Sequence, residues 1–145
     1  MFSYIFATAK HHRNFHTMEN ATKNRPQELT KAELEIMQIL WRIERGVIHD
    51  IMQEIAEPKP AYNTVSTIVR ILEKKGFVDH KAYGKTHEYY PVVSKQSYTD
   101  RYMHGVLQNF FDGSLSRLVS FFSAQQSIST EEVDEILRML NEQKK

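Results

Sequence analysis

Apolar residues fall in short blocks along the chain, and their spacing switches from helical to alternating and back to helical. Ile36, Met37, Leu40 and Trp41 sit at i, i+1, i+4 and i+5, the stripe of an amphipathic helix. Thr30-Lys31-Ala32-Glu33 opens that helix with the form of a capping box, a hydroxyl at the cap and a carboxylate three residues on. Gly46 is the expected stop, with Val47-Ile48 as a short extended link. A second helix is expected from about Asp50 to Ala56, burying Ile51 and Ile55 and broken by Pro58 and Pro60. A third runs from about Asn63 to Lys75, with Val65, Ile68, Val69 and Leu72 on one face and Gly76 as a left-handed cap. Phe77–Ala82 and Thr86–Val92 then read as the strands of a β-hairpin turning at Gly84. This order predicts a mainly α fold with a small β-hairpin, a winged helix-turn-helix.

The rest of the chain has helical period throughout. Ser94 is placed to cap a helix to about Phe111 bearing Tyr98, Tyr102, Val106 and Phe110. Gly113 stops it, and Ser114 caps a second helix with Leu115, Leu118, Val119 and Phe122. Ser129-Thr130-Glu131-Glu132 is another capping box, opening a helix with Val133, Ile136, Leu137 and Leu140. One small domain does not offer enough surface to hide three such faces. A two-fold homodimer is the expected outlet, which makes these twelve residues the candidate dimerisation set. The expected organisation is a flexible tail over residues 1–27, a winged helix over 28–93 and a helical dimerisation region over 94–145. Met18 opens a shorter frame, so Met1–Thr17 is read as an upstream-start artefact or a dispensable extension, its His11, His12 and His16 as incidental.

Composition removes several classes of function. The 145 residues include no cysteine, which excludes a disulfide framework, a thiolate metal site and a Cys nucleophile. No apolar run approaches the roughly 18–20 residues needed to span a bilayer, and Phe2–Ala9 is too short for a signal core. A cytoplasmic protein without membrane insertion is expected. No P-loop, Gly-x-Ser-x-Gly or HExxH occurs, and His49, His80, His87 and His104 lack paired ligand spacing, so neither an enzyme nor a cofactor is expected.

Net charge is only +1, but its distribution is uneven. Between Tyr62 and His87, Arg70, Lys74, Lys75, Lys81 and Lys85 face only Glu73 and Asp79. Such a stretch is either a solvated charged face or a small polyanion-binding surface. The third helix favours the second reading. Asn63, Thr67, Arg70 and Lys74 point away from its apolar face, with Ser66 and Ile71 on the flanks, and Thr64 joins them in the first turn. Short side chains near the helix start allow entry into a major groove roughly 12 Å wide, where Asn can bond an adenine edge. Arg70 can reach a guanine or a phosphate, and Lys74 and Lys75 suit phosphates. Ile71 suits either a thymine methyl or the flank of the core. Lys81 and Lys85 flank the hairpin turn and form a basic wing tip.

These residues resemble the BlaI/MecI family of penicillinase and methicillin-resistance repressors, which includes copper-responsive relatives. The likeness covers roughly Leu29 to Leu140. It rests on Leu29-Thr30-Lys31-Ala32-Glu33 with Met37, Leu40 and Trp41, and on Tyr62-Asn63-Thr64-Val65-Ser66-Thr67-Ile68-Val69. Leu72-Glu73-Lys74-Lys75-Gly76-Phe77-Val78, Tyr89-Tyr90-Pro91 and Phe111-Asp112-Gly113-Ser114 continue it. The resemblance implies a homodimer that represses transcription from a palindromic operator in double-stranded DNA. It also implies a membrane metalloprotease sensor as upstream partner. Three departures qualify it. Family members often carry basic residues where this chain has Ser66 and Ile71. The copper-responsive branch senses metal with cysteines that are absent here. In the β-lactam branch repression ends by cleavage of an Asn-Phe bond, and the matching position here is Phe121-Phe122. The expected function is therefore a homodimeric repressor that occludes a promoter. The alternative is a winged helix that docks on a protein, against which the polar-basic face of the third helix argues.

Overall fold

The computed structural model describes residues 28–143, so the reading of residues 1–27, their histidines included, lies outside the described residues. The chain divides into two compact units, one ending at Ser94 and one beginning at Lys95.

The first unit contains α1 (Lys31–Ile43), α2 (Ile48–Gln53), α3 (Tyr62–Lys74), β1 (Val78–Tyr83) and β2 (Thr86–Pro91). Helix α1 starts where the capping box places it. Glu33 N–H donates to Thr30 Oγ1 at 3.2 Å and Thr30 N–H donates to Glu33 Oε2 at 3.0 Å. Met37 and Leu40 of α1, Ile51 of α2, and Val65, Val69 and Leu72 of α3 are fully buried and form the centre of the core. Ile36, Ile39, Ile48, Phe77, Val78 and Tyr89 close round them. The strands pair antiparallel in the register Val78↔Pro91 to Tyr83↔Thr86. The turn carries Gly84 at φ 64°, a positive φ at the first central position as in a type II′ hairpin. Trp41 Nε1 donates to Val93 O at 2.9 Å and ties the exit of the hairpin to α1.

Several boundaries differ from the sequence expectation, each for a local reason. Helix α1 ends at Ile43, with Glu44 as its cap at φ 70°, rather than running to Gly46. Gly46 instead pairs with the hairpin, its N–H and C=O each bonded to Tyr89 at 2.9 and 2.8 Å. Helix α2 begins at Ile48, not Asp50, because Asp50 serves as the third residue whose carboxylate accepts from Val47 N–H at 2.9 Å. It ends at Gln53 and leaves Ile55 half-buried beyond it. Helix α3 starts one residue early at Tyr62. Its end is a Schellman-type cap, in which Gly76 takes φ 85° and Phe77 N–H donates to Leu72 O at 2.9 Å. That bond spends Phe77 on the cap, so β1 begins at Val78, and β2 ends at Pro91.

The second unit holds α4 (Lys95–Phe111), α5 (Leu115–Ala124) and α6 (Thr130–Gln143). Asp112 and Gly113 at φ 52° and 74° turn the chain, and Ser114 Oγ accepts from Arg117 N–H at 3.3 Å. Ser129 and Glu132 bond reciprocally, backbone to side chain, at 2.9 and 3.2 Å. No residue of α4, α5 or α6 is buried. No helix among the described residues is long and apolar enough to cross a membrane.

A Cβ at Gly46 would lie 3.0 Å from both Asp50 Cβ and Ile43 Cδ1. Gly46→Ala is expected to lower stability by about 1–3 kcal/mol through this crowding, read from urea unfolding. An unchanged midpoint would show that the bridge to Tyr89 tolerates displacement.

Candidate nucleic-acid interface

Helix α3 buries one face and displays the other. With Val65, Val69 and Leu72 fully buried, the 100° step per residue turns Asn63, Thr64, Thr67, Arg70 and Lys74 outward, and all five are exposed. Ser66 is half-buried on the flank towards the hairpin, and Ile71 is 41% exposed on the other flank. Thr67 Oγ1 donates to Asn63 O at 2.8 Å, which leaves its lone pairs free to accept. At the wing tip Lys81 and Lys85 are exposed, and Lys81 Nζ lies 5.3 Å from the centre of the Tyr83 ring.

Lys75 differs from its expected role. It lies at the C-cap of α3 with both hydrogen bonds of its ammonium directed to the Glu33 carboxylate at 2.9 Å. The side chains of Lys75 and Glu33 are only 24% and 7% exposed. Burial pushes the Glu33 carboxyl up, but the Lys75 ammonium and the N–H and hydroxyl of Thr30 outweigh it and hold it below the usual carboxylate range. The pair therefore joins the start of α1 to the end of α3, and Lys75 is a brace within the unit rather than a cation held out to solvent. Forty-two residues separate the partners, and no local pattern announces such a contact.

A second network underlies the wing. His80 Nδ1 lies 3.0 Å from both carboxylate oxygens of Glu73, and the His80 ring stacks on His87 at 4.1 Å with planes 10° apart. Tyr89 is buried beneath them. Its hydroxyl pKa is raised by burial and by Glu73, against the opposing pull of Arg70. Between α2, α3 and the wing lies a cleft of about 370 Å³. It is lined by His49, Ser66 and Arg70 of the helices and by Lys85, Thr86 and His87 of the hairpin. Tyr62 and Tyr89 also border it, and none of its lining residues carries a carboxylate. Sequence reasoning found Ser66, Arg70 and Lys85 but missed His49, Tyr62, Thr86 and His87. The signal for His87 is strand alternation, which puts it on the face of Tyr89, whereas His49 and Tyr62 come from α2 and α3 and only the fold brings them beside it.

The twelve candidate dimerisation residues all lie on α4, α5 and α6, where Tyr98, Val106 and Leu118 are half-buried and the other nine exposed. Phe110 reaches 77% exposure, Leu115 55% and Leu137 54%. Phe121 and Phe122 lie inside α5, 46% and 42% exposed. The Phe122 carbonyl accepts from Ser127 Oγ at 2.8 Å and from the N–H groups of Gln125 and Ser127 at 3.2 Å each.

A three-helix core with a two-stranded wing, an outward polar-basic helix face and a second helical unit define a winged-helix DNA-binding protein. The model of the penicillinase repressor family matches residues 29–142, and the chain belongs to this family of DNA-binding transcriptional repressors. It is 28% identical over 118 residues to the penicillinase repressor of Bacillus licheniformis, covering 81% of this chain and 92% of that protein. It is 29% identical over 119 residues to the methicillin resistance regulatory protein MecI of Staphylococcus aureus (strain N315), covering 81% and 97%. The solution structure of the DNA-binding domain of the repressor BlaI aligns with a TM-score of 0.44 and 27% identity, over 51% of this chain and 90% of that one.

Glu33 fixes the sign of an acid response. A carboxylate whose folded pKa is depressed contributes stability that is complete above its unfolded pKa, about 4.3, and is lost as pH falls through the lower folded value. Glu33→Gln should therefore destabilise the first unit at neutral pH and flatten its loss of stability below about pH 4.3, measured by urea unfolding across pH. Lys75→Ala should cost about 1–3 kcal/mol of stability. A wild-type acid profile unchanged in Glu33→Gln would contradict the brace.

Proposed function

We propose that the protein represses transcription as a homodimer that seats two α3 helices in successive major grooves of a palindromic operator and occludes the promoter. The observation that carries the reading is the outer face of α3, where exposed Asn63, Thr67, Arg70 and Lys74 lie opposite a fully buried apolar face. Asn63, Thr64, Ser66 and Thr67 meet base edges near the helix start, and Arg70 reads a guanine or anchors a phosphate. Lys74, Lys81 and Lys85 neutralise the DNA backbone. A two-fold axis places the paired half-sites about 34–36 Å apart. Family membership supports this reading over docking on a protein, as does the lack of aromatic anchors on that face.

The exposed apolar faces of α4, α5 and α6 support a second copy of the chain as their cover, through Tyr98, Tyr102, Val106 and Phe110, then Leu115, Leu118, Val119 and Phe122, then Val133, Ile136, Leu137 and Leu140. Acting on DNA, the protein works in the cytoplasm, and the mechanism requires neither catalysis nor a cofactor. By family likeness, a membrane metalloprotease sensor acts upstream, with Phe121-Phe122 as the bond cut. That bond lies in a formed helix, whereas proteases take extended chain, so the cut requires local opening of α5.

Lys74, Lys81 and Lys85 give about six phosphate contacts per dimer, so the logarithm of the affinity should fall with the logarithm of salt at a slope near −5. A slope shallower than about −2 would refute this contact set. Arg70→Ala should weaken operator binding by about 1–3 kcal/mol, with relaxed specificity at one base position where Arg70 reads a base. Equal loss on operator and random duplex makes Arg70 a phosphate anchor. Leu118→Asp with Leu137→Asp should shift the dimer to monomer in sedimentation; a persistent dimer would remove these helices from the interface.

A further inference from the structure

The cleft between α2, α3 and the wing collects more phosphate-binding chemistry than the α3 face alone requires. Arg70 and Lys85 contribute two cations to it, Thr86 contributes a hydroxyl, and His49 of α2 and His87 of β2 contribute imidazoles. Tyr62 stands at its rim against His49, ring centres 5.0 Å apart. At about 370 Å³ the cleft has room for a phosphate group with its ester oxygens, and no lining carboxylate opposes an anion. It opens beside the exposed side chains of α3 and the wing, the two elements read as straddling the DNA backbone. Resting on the proposed function, we propose that this cleft seats a backbone phosphodiester of the bound DNA, and that His49 and His87 complete the seat when protonated, so that DNA affinity rises as pH falls.

The groups that face each imidazole determine the sign. His87 meets His80 of β1 in a stack at 4.1 Å and the Tyr89 ring edge at 6.2 Å, with Arg70 of α3 and Lys85 of the turn on the cleft side. Glu73 of α3 is held by His80 rather than by His87. His49 faces Tyr62 of α3, with Arg70 and Lys85 also lining the cleft, and its neighbour Asp50 is committed to Val47 N–H. On the cleft side both rings thus have cationic or neutral neighbours and no lining carboxylate. A phosphodiester in the cleft supplies the missing anion, because it pairs with a protonated imidazole and cannot pair with a neutral one as a cation. Binding DNA therefore takes up protons, and by linkage protons promote binding.

The test is the affinity of the full chain for a duplex it binds, by fluorescence anisotropy at constant ionic strength, between about pH 8 and pH 6, the range in which imidazoles titrate. Wild type should bind several-fold more tightly at the lower pH. The double variant His49→Gln/His87→Gln should lose most of that gain, and His49→Lys/His87→Lys should bind tightly at both pH values. Both histidines are exposed, so neither exchange removes a core contact. Histidines outside the stack are common to all three proteins and cancel in the comparison; His80, which stacks on His87, is replaced in a separate His80→Gln protein so that its share is read by itself. Parallel pH profiles in wild type and the Gln variant would overturn the proposal while leaving DNA binding intact. Inorganic phosphate that shifts the His49 and His87 imidazole resonances, with equal DNA affinity of wild type and Gln variant, would reassign the cleft to a free phosphate. Absence of duplex binding by wild type and the Lys variant at every pH would overturn the repressor reading itself, and the phosphodiester seat with it.

Discussion

Everything the first unit offers to DNA depends on the rotation of α3 about its own axis. Three side chains without exposed surface hold that rotation: Val65, Val69 and Leu72. Burying each contributes about 1.5–3 kcal/mol, so turning the helix to present another face would forfeit several kcal/mol. Asn63, Thr67, Arg70 and Lys74 face outward as a consequence, because at 100° per residue they have nowhere else to point. The Lys75–Glu33 pair and the Gly76 cap fix the end of the same helix, one by charge and one by a backbone conformation favourable to glycine. The bridge between Gly46 and Tyr89 then sets the hairpin against the helices, which places the wing beside α3.

The two units solve the problem of apolar surface differently. The first closes a core over a dozen hydrophobic side chains, half of them fully buried. The second has three helices, with Ser114 and Ser129 capping α5 and α6, yet leaves Phe110, Leu115 and Leu137 more than half exposed. Capping contributes about 1 kcal/mol per helix, which defines ends but does not hold helices together. In the proposed homodimer the stabilisation missing from α4, α5 and α6 comes from a second copy of the chain, which presents the same faces in the same order. On this account DNA reading and self-association are allotted to separate parts of the sequence, and the dimer spacing sets the operator spacing.

The elements were legible in the sequence wherever the signal was local. The periodicity of α3, the capping boxes at Thr30 and Ser129 and the turn at Gly84 each follow from residues within a few positions of one another. Boundaries failed where a residue had a distant obligation. Gly46 reads as a helix stop until its pairing with Tyr89 is known, and Phe77 reads as strand until its N–H is seen closing α3. The candidate site shows the same division. The outward face of α3 follows from helical geometry, while Lys75 reads as a phosphate contact until its partner, 42 residues away, is known. The histidines of the cleft were visible as residues but not as a group, since α2 and β2 contribute one each and only the fold brings them together.

The most direct test of the account is selection of bound sequences from random duplex DNA by the purified full chain. The account predicts enrichment of an inverted repeat whose half-sites lie about one helical turn apart, 34–36 Å centre to centre. A folded, dimeric protein that enriches no sequence, or enriches one with a single half-site, would contradict it.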